Sequence, residues 1–211
     1  MSRRIVVISA GLSQPSSTRL LADQLADATR SAVGGRGESL DVEFVELREL
    51  AVEMAQAMVS GNISTPGLEA VRRQLAEADG LIAVTPIFTA SYSGLFKMFF
   101  DLLDKDSLSG MPVLIAATAG TPRHSLVLEH ALRPLLAYLR AVVVPTAVFA
   151  ATEDFGADEL ESRVHRAAAE LAALVVAERT SVAGFAQGAE ETGPLGPVTD
   201  FSQLLRGHDG G

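Results

Sequence analysis

Between residues 13 and 19 the chain places four hydroxyl side chains and an arginine, Ser13, Ser16, Ser17, Thr18 and Arg19, directly ahead of a helical pattern. A helix N-terminus presents unpaired N–H groups and the positive end of the helix dipole, and both favour an anion. With hydroxyl donors from Ser13, Ser17 and Thr18 and a charge from Arg19, the stretch predicts a socket for one phosphate group. Serine and threonine are also the ordinary helix N-caps, and one of them would stand here without any ligand; a single cap does not account for the whole cluster. The spacing is neither G-x-G-x-x-G nor G-x-x-x-x-G-K-[ST], which disfavours a tightly held dinucleotide and a P-loop nucleotide. A second stretch, TPIFTASYSGLFKMFFDLL from Thr85 onward, opens like the end of a buried strand and closes like an amphipathic helix. Pro86, Ile87 and Phe88 offer backbone edges and an apolar wall to a flat ring, while Ser91, Ser93 and Gly94 suit a helix cap. A third stretch, Thr118, Ala119, Gly120, Thr121 and Pro122, is small and polar enough for backbone to approach a planar ligand closely. Socket, wall and close approach together describe a mononucleotide with a flat heterocycle, and FMN is the natural candidate.

Other chemistries are excluded by the same residues. The chain has no cysteine, which removes a disulfide framework, thiolate metal ligands and thiol catalysis in one step. Its histidines, His124, His130, His165 and His208, stand apart. His124 and His130 share one helical pattern but are six residues apart, whereas only neighbours three or four apart share a helix face. No metal site is expected.

Positioning the three stretches needs a scaffold, and the apolar pattern supplies one. Residues 4–10, 80–85 and 112–118 are continuously apolar, as strands buried on both faces should be. Residues 41–47 alternate, like a half-covered strand nearer an edge, and residues 141–149 supply a fifth strand. Helical stripes fall between them: Leu21, Leu25 and Ala28; Leu68, Val71, Leu75 and Ala78; residues 94–103; Leu128, Leu132, Leu135, Leu136 and Leu139; and Leu160, Val164, Ala168, Leu171 and Val175. Strands alternating with helices imply right-handed crossovers and a parallel sheet covered on both faces. The expected class is α/β, a doubly wound five-stranded parallel sheet of order 2-1-3-4-5. In such a sheet ligands bind beyond the carboxyl ends of the central strands, where all three stretches fall. The first strand ends Ile8, Ser9, Ala10, Gly11, without the acid that a Mg²⁺-binding response regulator of this topology requires. Residues 48–62 form an excursion expected to be partly helical. In the 128–139 helix, Pro134 cannot donate to the His130 carbonyl, so the helix must kink or widen, and a π-bulge is one solution.

Length and composition fit one domain over residues 1–183. A Gly- and Pro-rich tail follows over 184–211, in which Phe201, Leu204 and Leu205 suit the apolar face of a short helix docking on a neighbouring subunit. The net charge of −9 argues against nucleic acid as the main partner. No stretch reaches the roughly 20 apolar residues of a membrane span. The apolar run after Arg3 and Arg4 has only strand length and no small-residue cleavage site, so a soluble, cytoplasmic protein without a membrane role is expected.

Residues 85–97, reading T-P-x-[aromatic]-x-x-S-[YF]-S-G-x-[LF]-K, resemble the signature of NAD(P)H-dependent FMN reductases of flavodoxin-like fold. Residues 11–19, G-L-S-x-P-S-S-T-R, and the Ala-Thr-Ala-Gly-Thr run from Ala117 are similar to the same family, and the resemblance spans residues 3–179. Within the family, the chain most resembles reductases that feed two-component, luciferase-like flavin monooxygenases. The resemblance implies FMN phosphate on Ser13, Ser17, Thr18 and Arg19. It implies the ring edge on Pro86, Ile87, Phe88 and Thr89, with further ring contacts from Thr118, Ala119 and Gly120. NADPH or NADH would give hydride to the flavin, with no catalytic acid or base assigned. Arg123 is a candidate for a nicotinamide-nucleotide phosphate and equally suits a solvated surface. A homodimer or homotetramer packed through the 128–139 helix is implied, with His130 at the interface. Two other readings stay open: a reductase of quinones or azo dyes that keeps its FMN, and a flavodoxin-type electron carrier with no nicotinamide site. Such carriers usually flank the flavin with aromatic rings, whereas this chain has no tryptophan and two tyrosines, Tyr92 and Tyr138.

Overall fold

A computed structural model describes residues 2–177. In chain order the elements are β1 (Ser2–Ser9), α1 (Ser17–Gly34), β2 (Ser39–Glu46), α2 (Ala51–Val59), α3 (Pro66–Ala76), β3 (Gly80–Phe88), β4 (Ser91–Tyr92), α4 (Gly94–Asp101), β5 (Pro112–Ala119), α5 (Arg133–Tyr138), β6 (Val142–Val143), β7 (Val148–Ala151) and α6 (Asp158–Val176). The excursion after β2 is a 3₁₀ turn over Leu47–Leu50 running into α2. The tail over 184–211, and residues 178–183 of the expected domain, lie outside the described residues.

Strands β2, β1, β3 and β5 lie side by side and parallel, and β6 and β7 share the far edge of β5. This is the flavodoxin-like order 2-1-3-4-5 with its last strand in two pieces. Along the central strands successive side chains enter opposite cores. Val6, Ile8, Leu81, Ala83, Val113 and Ile115 join a cluster with residues of α2 to α5. Ile5, Val7, Ile82, Val84, Leu114 and Ala116 join one with α1 and α6. Each large apolar side chain so buried contributes roughly 1.5–3 kcal/mol, which is why uninterrupted apolar runs mark the middle of the sheet.

The fifth strand, expected as one run over 141–149, breaks around Pro145. Sheet pairing continues as far as the Val144 N–H, 2.9 Å from the Val113 carbonyl; proline then has no N–H to offer. The exposed polar groups are taken up by side chains from two helices. Arg133 donates to the carbonyls of Val144 and Pro145 at 3.0 and 3.1 Å, and the Glu170 carboxylate accepts from the Thr146 N–H and hydroxyl, both at 2.7 Å. Ahead of α5, Pro134 produces widening rather than a kink. Leu128–Leu132 form a π-turn, and the Arg133 N–H reaches the Leu128 carbonyl five residues back. Pro134 then falls in the first turn of α5, where its missing N–H is harmless. Among the described residues no helix is long and apolar enough to cross a membrane.

Candidate functional site

The first loop folds back on its own strand. Beyond β1, the Ala10 N–H still bonds the Val84 carbonyl at 3.0 Å, and the chain turns at Gly11, where a β-carbon would collide with Ser16 Oγ. That close return makes Ser16 the cap of α1. Its Oγ accepts from the Arg19 N–H at 3.2 Å and its carbonyl from the Leu20 N–H at 3.0 Å. The N–H groups of Ser17 and Thr18 have no intrahelical acceptor in this first turn. Because Ser16 does the capping, the exposed hydroxyls of Ser13 and Ser17 are not needed for it. Thr18 is buried, its Oγ1 2.8 Å from Thr118 Oγ1, so one hydroxyl pair ties the start of α1 to the end of β5. Ser9 Oγ, at the carboxyl end of β1, is buried with no hydrogen-bond partner.

The second loop is a hairpin. Ile87 pairs with Tyr92 and Phe88 with Ser91 around the two-residue turn Thr89–Ala90, whose φ angles are +49° and +64°. Its return leg is anchored from below. The buried Ser93 donates its N–H to Thr85 Oγ1 at 3.0 Å, and its Oγ caps α4 by accepting from the Phe96 N–H at 3.2 Å. Tyr92, Phe96 and Phe100 then pack in sequence as tilted ring pairs, with centroids 5.9 and 4.6 Å apart. The hairpin therefore holds Phe88 out at 47% exposure above a rigid base.

The third loop continues β5. Pro86 and Thr118 are register partners, so loops two and three leave the sheet together. A cleft of about 300 Å³ lies between the three loops. It is lined by Ser13, Ser17 and Thr18 from the first, Pro86, Ile87 and Phe88 from the second, and Thr118, Ala119 and Gly120 from the third. Leu12, Ser16 and Thr152 line it too. Thr152 follows β7, and its position was legible in principle, since the loop after the fifth strand opens on the same end of the sheet. Two expected residues lie outside the lining. Thr89 is at the hairpin tip. Arg19 leaves the helix toward β2, where Nε lies 2.8 Å from Asp23 Oδ1, Nη1 lies 2.8 Å from Glu46 Oε1, and Cζ stands 4.1 Å from the Phe44 ring centroid. Burial alone would lower the Arg19 pKa, but the bonds to Glu46 and Asp23 prevail and raise it. Arg123, on the short turn after β5, is exposed. None of the residues lining the cleft is ionisable. A hollow of about 360 Å³ between α1 and α6 is similar in size, but helix surface and the turn before α6 line it, and none of the three loops reaches it.

Residues 3–156 match the sequence profile of the family described as NADPH-dependent FMN reductase. The chain belongs to that family. It is 36% identical over 186 residues to an FMN reductase (NADPH) of Pseudomonas aeruginosa, covering 85% of this chain and 95% of that one. It is 38% identical over 152 residues to the NADH-dependent FMN reductase SfnF of Pseudomonas putida, covering 72% and 79%. Its fold superimposes on an oxidoreductase of Corynebacterium diphtheriae with a TM-score of 0.81 and 57% identity, covering 84% of this chain and 98% of that one. It is an NAD(P)H:FMN oxidoreductase, with FMN as the flavin and NADPH or NADH as the reductant. The reductase cleft fits FMN on its own chemistry. The unpaired N–H groups of Ser17 and Thr18 open an 18-residue helix, beside hydroxyls suited to phosphate oxygens. Ile87 and Phe88 give an apolar wall, and at Gly120 no atom stands within 4 Å of where a β-carbon would project, leaving room for a flat ring.

Proposed function

We propose that this cleft is the flavin site of a cytoplasmic reductase that passes reduced FMN to a flavin-dependent monooxygenase. Bound FMN supplies the hydride acceptor and the reduced nicotinamide the hydride. The chain's own residues position both. The N–H groups of Ser17 and Thr18, with the hydroxyls of Ser13, Ser16 and Ser17, hold the phosphate. Pro86, Ile87 and Phe88 wall one side of the ring, and Thr118, Ala119 and Gly120 let backbone approach it. Alignment of two rings needs a rigid frame more than an acid or base, and no such group is assigned. The observation that carries this reading is a single cleft lined from the ends of β1, β3, β5 and β7 without one ionisable side chain. The test is oxidation of NADPH and of NADH by flavin-stripped protein under air, as FMN is titrated in. Saturable turnover that depends on added FMN is expected; tight FMN binding without oxidation would leave an electron carrier instead.

The delivery role is supported by the resemblance carried by residues 85–97. It is tested by whether this reductase, FMN and NAD(P)H sustain a flavin-dependent monooxygenase with no other source of reduced flavin. A homodimer or homotetramer through the 128–139 segment is supported by His130 and Tyr138, exposed on it, and by Leu126, exposed just before it. Sedimentation should show more than a monomer, and a strictly monomeric protein would remove this part of the proposal.

A further inference from the structure

The loop that closes one side of the flavin cleft has a second face. A cavity of about 300 Å³ opens there, lined in part by Ser13, Gln14, Ser16, Arg19, Glu46 and Arg48, and it shares Ser13 and Ser16 with the cleft. The two arginines are in different states. Arg19 is saturated by Asp23 and Glu46, each at 2.8 Å, so its one charge is fully engaged by two carboxylates. Arg48, half-buried on the turn after β2, meets no carboxylate at ion-pair distance among the described residues. Its partner is neutral: with the Gln14 amide oxygen turned toward it, the guanidinium donates to that oxygen at 2.9 Å. A half-buried guanidinium facing only an amide keeps most of its charge for a ligand, and its planar fork matches two phosphate oxygens.

We propose that Arg48, with Gln14, takes the 2′-phosphate of NADPH and so sets the preference for NADPH over NADH. This rests on the reading that the neighbouring cleft holds flavin and nicotinamide. A phosphomonoester has two sources here, since FMN carries one as well. The FMN phosphate is the poorer fit to Arg48, because the unpaired N–H groups of Ser17 and Thr18 belong to a helix start that lines the cleft. A dinucleotide whose nicotinamide lies on the flavin must carry its adenosine end out of a cleft of about 300 Å³, and the Arg48 cavity adjoins it across Ser13 and Ser16. Relatives of this reductase divide between NADPH and NADH, so the preference is not a property of the family as a whole.

The test compares binding of 2′,5′-ADP, 5′-ADP and FMN by calorimetry in the full-length chain, as wild type, Arg48→Gln and Arg48→Lys, with Arg123→Ala as a control. The wild type should bind 2′,5′-ADP more tightly than 5′-ADP. Arg48→Gln should weaken 2′,5′-ADP about tenfold or more, the scale of a lost charged hydrogen bond, and Arg48→Lys should weaken it less. Affinities for 5′-ADP and FMN should hold, and KM should rise for NADPH and stay level for NADH. In the wild type, the Arg48 Nε–H resonance should shift on adding 2′,5′-ADP and not 5′-ADP, a readout that needs no variant to fold. Equal wild-type affinity for the two ADP forms would overturn the proposal. So would an Arg48→Gln loss in FMN affinity alone, which would give the cavity to the flavin phosphate, or a loss in Arg123→Ala alone. FMN binding and FMN-dependent NADH oxidation report on the flavin cleft separately, so failure there is distinguishable from failure at Arg48.

Discussion

The hairpin tip at Thr89 and Ala90 stores backbone strain that a substitution should release. Two-residue hairpin turns with positive φ at both positions favour Asn-Gly, because left-handed backbone costs other L-residues about 1–2 kcal/mol each. Here the positions hold a β-branched threonine at φ +49° and an alanine at +64°, both exposed. The double variant Thr89→Asn/Ala90→Gly keeps the turn's shape and removes most of this cost. Against it stands the extra freedom glycine gives the unfolded chain, about 0.4–1 kcal/mol. The net gain should be about 1–2 kcal/mol, which for a chain of this length raises Tm by roughly 2–8 °C. Thermal unfolding followed by circular dichroism, on the double variant and both single variants, measures it. The FMN affinity should stay within about twofold, since a fractional change of that size is a few tenths of a kcal/mol and neither side chain lines the cleft. An unchanged or lower Tm would refute the reasoning, because it would mean that Thr89 makes contacts outweighing its backbone strain. A higher Tm with FMN binding lost would instead restore Thr89 to the ring contacts that the family resemblance implied.

Other perturbations test the scaffold. Thr18→Val leaves the buried Thr118 hydroxyl without its 2.8 Å partner and should cost about 1–3 kcal/mol in urea unfolding; Thr18→Val/Thr118→Val should cost less than the sum of the singles, because removing both partners leaves nothing unsatisfied. Glu170→Ala removes both acceptors from Thr146 at the break in the fifth strand and should lower stability by about 1.5–3 kcal/mol, the range for hydrogen bonds to a charged group; a change within error would mean that water satisfies Thr146 equally well. The bonds from Arg133 hold the Glu129 carboxyl below its usual pKa. A depressed carboxylate stabilises above its unfolded pKa, about 4.3, and the contribution is lost as pH falls through the folded value. Because Glu129 is half exposed, Glu129→Gln should cost only about 0.3–0.5 kcal/mol at neutral pH, and the difference from wild type should vanish in acid; a difference constant with pH would exclude the ion pair as its source.

The residues that were legible and those that were not divide along a physical line. Continuous apolar runs such as residues 4–10 and 112–118 can be buried on both faces only inside a parallel sheet, so sheet order and the strand-end loops follow from local pattern. The hairpin after β3 was hidden because Thr89–Ala90 carries none of the glycine or asparagine that marks such a turn. The break near Pro145 was visible as a proline inside an apolar run, but whether the strand survives depends on Arg133 and Glu170, groups 12 and 24 residues away from their acceptors and donors. Arg19 shows the limit most plainly. Its neighbour Thr18 turns inward to Thr118, and one step of about 100° around the helix aims Arg19 at Glu46 and the Phe44 ring instead of the cleft. Proximity in the chain suggested a cation for the phosphate; β2 already supplies that cation's anion. The cleft is left with hydroxyls and helix N–H groups, donors that are neutral individually and depend on the α1 N-terminus being held in place. The Thr18–Thr118 hydroxyl pair and the Ser16 cap are therefore the contacts on which flavin binding should depend most, although neither carries a charge.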